Sequence, residues 1–246
     1  LKWSRYNKGA SVIEIKKREE PKELVEYRRM PNASYQDMHG AVIKGKNVYD
    51  VVLDNLINEQ GRLCAYCMKR IPEGKTKHGA SIEHIEPQSL TGEKSRLGYR
   101  NMLAVCIGNR NSQMNDMKTC DAKRGTLSTE KQKLYVNPLD ANTLKTIKYN
   151  SNGIIFSEDK NIDESLNEVL NLNGVKTGLV SSRMNALKTL QTEIDKKYHG
   201  RDVPDSYLVS LLNKFQQENE NKTPYVGILI YWLQKKVKKL KCNTQQ

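Results

Sequence analysis

The stretch CAYCMKRIPEGKTKHGASIEHIEPQS, residues 64–89, sets a Cys-x-x-Cys pair ahead of a Glu-His dipeptide. Cys64 and Cys67 are spaced as half of a thiolate site, and two further cysteines follow at Cys106 and Cys120. Four thiolates form a closed tetrahedral set suited to zinc, with no position left for a substrate, so such an ion would be structural. Thirteen residues, IGNRNSQMNDMKT, separate the second pair. A polar insertion of that kind can bulge outward without moving the ligands. The competing reading makes Cys106 a buried apolar residue and leaves His78, or nothing, to complete the site.

With the thiols assigned to zinc, Glu83 and His84 are free for other chemistry. Phosphodiester hydrolysis needs a base to deprotonate water, a cation to stabilise the developing charge, and a device that orients the base. A histidine titrates near neutrality and suits the first role. Adjacent residues of a regular strand point to opposite faces, so Glu83 and His84 share one pocket only if the strand stops early. Pro87, just downstream, makes an early stop plausible. A lone histidine on a strand is more often structural, and only its neighbours shift that balance.

Those neighbours run in a fixed order: Cys-x-x-Cys, an acidic-His dipeptide followed by IEPQS, then NMLAVC, then Cys-Asp-x-Lys-Arg-Gly. The series resembles the HNH endonucleases. The resemblance implies a ββα-metal fold in which two strands form a hairpin and a helix completes the site. It implies Glu83 and Asp121 as ligands of a catalytic Mg²⁺ or Mn²⁺, His84 as general base, and Asn101 as the residue holding the His84 ring. The chain departs from the pattern in carrying Glu83 where many members have Asp or His. The thirteen-residue insertion also leaves the third ligand open among Asp121, Asn109 and Asn111, with Asp121 favoured because it directly follows Cys120. A narrower likeness covers roughly residues 50–173. There the blocks EQGRLCAYC, IEHIEPQS, GYRNMLAVC, TCDAKRG, VNPLD, an Asn-Gly hairpin and VLNLN are similar to the PtuB family of HNH subunits in Septu and retron-associated anti-phage systems. That likeness implies a PtuA-like ATPase partner, in some systems a retron component, and a defence role.

The elements that must position these residues can be read from periodicity. Tyr49, Val52, Leu53, Leu56 and Ile57 fall on one face of a helix, closed by Gly61, that delivers the chain into Cys64. Residues 80–86 and 101–106 read as two strands joined by a turn-rich segment, and DAKRG as a brief helix. ASVIEI, residues 10–15, reads as a short strand, and TLKTIKYNSNGIIFSE as a hairpin turning at Asn-Gly. From 163 onward the pattern is helical. Asp163 is expected to cap a first short helix. Met184, Leu187, Leu190 and Ile194 mark a second, Tyr207 to Phe215 a third, and Pro224 opens a fourth. The expected class is α+β, a zinc-stapled ββα-metal core with mostly helical flanks. The expected division is 1–61, 62–140 and 141–246, with a composition shift near 160–180.

Lys and Arg exceed Asp and Glu by 13 among 246 residues, most densely around the cysteines, which favours a polyanionic partner. Five cysteines, four of them clustered and Cys242 apart, are too few for a disulfide scaffold. With no secretory signal in view, a reduced cytoplasmic setting is expected. The longest apolar run, YVGILIYWL at 225–233, is about half of what a membrane-spanning helix needs, so no membrane is expected. The helix it belongs to suits docking of a partner, contact with phosphates, or packing on its own domain with its lysines in water. The sequence reads best as a nuclease on nucleic acid, DNA ahead of RNA. A non-catalytic zinc module binding nucleic acid or protein is the alternative.

Overall fold

The computed structural model describes residues 13–72, 79–88 and 92–243. His78, the first half of the 10–15 stretch and the Cys242 side chain lie outside it. Residues 13–15, expected as part of a strand, form no ladder. Ile15 N instead donates to the Pro138 carbonyl at 2.8 Å. Two residues on, the Lys17 ammonium meets the Glu59 carboxylate at 2.5 Å, with both side chains almost wholly buried. A buried charge pair holds only if its remaining valences are met. Here Glu59 also accepts Arg18 N, and Lys17 also donates to the Met102 carbonyl. These bonds pin the segment where a strand would have needed a neighbour.

Helix α1 (Lys22–Tyr27) and the two-residue strands β1 (Val42–Ile43) and β2 (Lys46–Asn47) lead into α2 (Val48–Glu59). The Asn47 side chain caps α2 by accepting Asp50 N at 3.0 Å. The apolar stripe Val52, Leu53, Leu56 and Ile57 is buried, as its spacing dictates. Gly61 ends the turn at φ +64°, and a Cβ there would stand 2.7 Å from the Asn219 carbonyl. No other residue type fits.

Strands β3 (Ala80–His84) and β4 (Met102–Cys106) pair antiparallel, with Glu83 opposite Leu103 and His84 opposite Met102. Every residue of both strands is buried, because both faces are covered. Ala80, Ile82, Met102 and Ala104 pack with α1 and α2 into one apolar cluster. Leu103 and Val105 join the four clustered cysteines in a second, which continues to Leu233. The hairpin is the wall between two cores.

Short helices α3 (Glu93–Arg96), α4 (Cys120–Arg124) and α5 (Ala141–Leu144) follow. A further hairpin, β5 (Ile147–Tyr149) with β6 (Ile155–Ser157), turns through a five-residue loop rather than a tight Asn-Gly pair. Asn150 Oδ1 organises that loop by accepting from Asn152 N and Ile154 N. Helix α6 (Lys160–Glu164) is capped by Asp159, which accepts Asn161 N and Ile162 N. Asp163, expected as that cap, instead accepts Ser157 N and ties the helix to β6. The caps differ because Asp159 sits one residue ahead of the first helical turn, where free N–H groups point at its carboxylate.

Helices α7 (Leu179–Tyr198), α8 (Asp205–Gln217) and α9 (Val226–Asn243) complete the chain. Val226, Ile228, Leu229, Ile230 and Leu233 of α9 are buried, and the helix packs on α7, α8 and β5. Its apolar side is therefore core, while Lys235, Lys236 and Lys238 remain exposed. The second cluster crosses residues 140 and 160–180 without a break. The class is α+β with two-stranded antiparallel sheets among the described residues. No described helix is long and apolar enough to cross a membrane.

One buried amide joins the parts. Gln60 Nε2 donates to the Leu63 carbonyl at 2.9 Å and the Ala104 carbonyl at 2.8 Å, and its Oε1 accepts Ala104 N at 2.8 Å. Gln60→Ala strands the Leu63 carbonyl and Ala104 N, each costing about 1–3 kcal/mol when unsatisfied, while the Ala104 carbonyl keeps its bond from Ala65 N. Urea unfolding should show a loss of about 2–4 kcal/mol; a loss below about 0.5 kcal/mol, typical of a surface change, would show the amide to be dispensable.

Candidate metal centre and adjoining pocket

Cys64 and Cys67 stand in a turn in which Met68 N donates to the Cys64 carbonyl at 3.0 Å and Cys64 N to the Lys69 carbonyl at 2.9 Å. Ala65 N donates to the Ala104 carbonyl, which registers this turn against β4. Cys106 ends β4, and Cys120 opens α4 in a left-handed backbone conformation at φ +54°. The four sulfurs all lie within 4.8 Å of one another and are buried. Sulfur–sulfur distances are 3.8 Å for Cys64–Cys120, 3.7 Å for Cys67–Cys106 and 3.9 Å for Cys106–Cys120.

A disulfide would bring two sulfurs to about 2.05 Å. A tetrahedron of zinc–thiolate bonds of about 2.3 Å requires sulfurs about 3.8 Å apart, and the observed spacing meets it. Burial opposes a thiolate at Cys64, yet hydrogen bonds from Cys106, Cys120 and Cys67 outweigh it and hold that thiol well below its ordinary pKa. Cys67 and Cys120 are pushed well above theirs, chiefly by bonds to Cys106. One thiolate is accommodated at Cys64 and others are resisted at Cys67 and Cys120, a repulsion that a central cation would relieve. The four buried cysteines are positioned to bind a metal ion, consistent with structural zinc.

The thirteen intervening residues contain no helix or strand and are pinched at their base, where Thr119 N donates to the Gly108 carbonyl at 2.9 Å. Gly108 must be glycine: a Cβ would stand 2.1 Å from the Thr119 carbonyl. The insertion thus leaves the chain beside Cys106 and returns beside Cys120 without disturbing either.

Off the end of β3 lies a pocket of about 210 Å³, lined among others by Glu83, His84, Gln88, Asp121, Arg124 and Gln132. Glu83 and His84 do leave opposite faces of the hairpin. Glu83 lies on the side of the four cysteines, within 3.4 Å of the Tyr66 hydroxyl; His84 lies on the α2 side, edge-on to the Tyr35 ring at 4.5 Å. They meet because β3 stops at His84, and the chain then bends towards Pro87.

His84 Nε2 is 2.8 Å from the Arg96 carbonyl, which can only accept, so Nε2 carries the proton. Nδ1 keeps its lone pair and receives the Gln88 amide at 3.1 Å. Burial lowers the His84 pKa, against the Arg96 bond and the Asp121 charge, and favours neutral imidazole. Glu83 behaves oppositely. Desolvation and the nearby Asp121 carboxylate outweigh the Arg124 guanidinium and push it up to about 8. Two carboxylates that close resist joint ionisation unless a cation joins them.

Arg124 is the buried clamp of this corner. It donates to Glu83 Oε1, to the carbonyls of His84 and Ile85, and to Gln132 O. Arg110, from the insertion, donates to Asp121 Oδ2 and Ser81 Oγ, both at 2.9 Å. Neither arginine was singled out by spacing, although Arg124 stands within the quoted TCDAKRG block. Asn101 acts at one remove from the ring. Its Oδ1 accepts Glu86 N at 2.9 Å and its Nδ2 faces the carbonyls of Glu86 and Ser95, which fixes the loop that presents Arg96 O. Asn109 is spent inside the insertion on the Met117 carbonyl. Neither it nor Asn111 lines the pocket; Asp121 does.

Elemental analysis of purified protein should find about one zinc per chain. Cys64→Ala and Cys120→Ala should give insoluble or unfolded chain, because metal binding and folding are coupled in such sites. Metal-free protein with an unchanged melting transition would remove the zinc from the account.

No family model matches this sequence, and no curated protein matches it significantly.

Proposed function

We propose that the chain is a metal-dependent nuclease of the HNH type that hydrolyses phosphodiester bonds, with DNA as substrate. The observation that carries this reading is the meeting, in one pocket, of a histidine whose Nδ1 is an acceptor, occupied by the exposed Gln88 amide, with the carboxyl groups of Glu83 and Asp121, the former raised by burial and by its neighbour. A purely structural role accounts for the two hydrogen bonds of His84 but not for two carboxyl groups gathered beside it, which weighs against a zinc module that only binds.

Glu83 and Asp121 are the residues that would hold the catalytic ion, for which hard oxygen donors suit Mg²⁺ or Mn²⁺. Such an ion supplies charge stabilisation for the pentavalent phosphorus and the leaving oxygen. His84 Nδ1 takes a proton from water, which replaces the Gln88 amide there, while the Arg96 carbonyl holds Nε2–H and stabilises the imidazolium that forms. Arg124 keeps the Glu83 carboxylate aimed and satisfied. Asn101 holds the loop that holds Arg96. The order of sequence blocks shared with PtuB-type subunits extends the proposal to anti-phage defence with a PtuA-like ATPase partner.

Plasmid DNA and total RNA, incubated with the protein in Mg²⁺, Mn²⁺ or EDTA, test the chemistry. His84→Ala should retain zinc and fold yet lose about 10²–10⁴-fold in rate. Asn101→Ala should lose less. Asp121→Ala should recover in part with added Mn²⁺, while Asn109→Ala and Asn111→Ala keep their cleavage rate. Full activity of His84→Ala, free of contaminating enzyme, would replace the nuclease with the binding module.

The partner is tested by co-expression with the cognate ATPase. A stable complex is the expected result, and it should survive charge reversal of Lys235, Lys236 and Lys238 if docking uses another surface. The apolar side of α9 is unavailable to a partner, because it is core.

A further inference from the structure

The insertion between Cys106 and Cys120 is more ordered than its length requires. Besides the Gly108–Thr119 neck, Asn109 Nδ2 donates to the Met117 carbonyl at 2.8 Å and Met114 N to Ser112 Oγ at 3.1 Å. From outside, Asn171 Nδ2 donates to the Asp116 and Lys118 carbonyls, and Lys176 pairs with Asp116 at 2.8 Å. Bracing at this many points fixes where the tip stands.

The tip itself is unspent. Asn111, Gln113 and Asn115 are exposed, and their amides make no hydrogen bond to another described residue. Met114, between them, is 47% exposed. Arg110, in the same loop, touches the pocket carboxylate Asp121. The tip is therefore tethered to the reacting corner by one side chain.

We infer that this loop is the base-reading element of the enzyme, its tip entering a groove of duplex DNA beside the bond to be cut. The inference rests on the nuclease reading above. Primary amides present a donor and an acceptor side by side, the pattern that pairs with an adenine edge, and an exposed methionine suits contact with a base step. The chain's surplus of 13 positive charges attracts a polyanion, and the loop adds Arg110 and Lys118 against Asp116. A-form RNA hides its base edges in a deep, narrow major groove, so duplex DNA is the occupant that a protruding loop can read. Arg110, leaving Asp121 when a phosphate arrives, couples reading to cutting.

The test uses the full chain carrying Asn111→Ala, Gln113→Ala and Asn115→Ala together, and separately Met114→Ser, with zinc content and melting as fold controls. Anisotropy with a mixed-sequence DNA duplex, in the His84→Ala background, should show binding weakened at least about fivefold, the loss of one good base contact. Sequenced fragment ends from otherwise wild-type protein should show a flattened base preference. Should the triple variant fail its fold controls, Met114→Ser decides. Unchanged affinity together with unchanged cut sites overturns the inference, as does a photo-crosslinker at position 114 that captures only RNA or protein. Duplex binding that depends on the tip, without any cleavage, would sink the catalytic reading and leave the loop's role standing. Cleavage that ignores the tip would do the reverse.

Discussion

Four sulfurs about 3.8 Å apart impose the constraint on which the rest of the chain depends. They come from a turn after α2, from the last residue of β4 and from the first of α4, segments far apart in sequence. Closing them on one cation would fix β4 against the Cys64–Cys67 turn and hold α4 across the end of β3. Asp121 and Arg124 ride on α4, so their distance from Glu83 follows from the placement of Cys120. The left-handed backbone at Cys120 is local strain held by that closure and by the bond from Cys120 N to the Leu170 carbonyl.

The hairpin β3–β4 is the second organising feature, because it is buried on both sides. Alternation sends Ile82 and His84 towards α2, and Ser81 and Glu83 towards the metal centre. A pocket can take residues from both faces only past the end of a strand, and that is where it lies. Burial there works in opposite senses on the two groups: it keeps the imidazole neutral and raises the carboxyl to about 8.

Much of this was legible in the sequence, for physical reasons that differ by element. The cysteine set, the α2 stripe and the two strands are local patterns of residue type and period, and each lies where it was expected. The insertion could be read as a bulge because polar residues gain nothing from burial. What escaped were long-range pairings without any period. Lys17–Glu59 pins the chain just beyond residues 13–15, which form no ladder, Gln60 spliced three segments, Arg124 entered the pocket, and Arg110 reached its carboxylate Asp121, from elements whose own sequence gave them no role. The Asp159 and Asp163 exchange was a boundary error: either aspartate suits a cap, and only the placement of the helix decides. Asn101, expected to hold the His84 ring, bonds instead to the backbone of Glu86 and Ser95.

The central claim is that metal closure holds the hairpin on which the pocket stands. Hydrogen–deuterium exchange across residues 80–106, with zinc bound and after its removal by a chelator, tests it most directly. The account predicts strong protection of the β3–β4 amides with zinc, and its loss on both strands without it. Protection that persists unchanged in metal-free protein would mean that the two apolar clusters hold the hairpin alone, and the claim would fail.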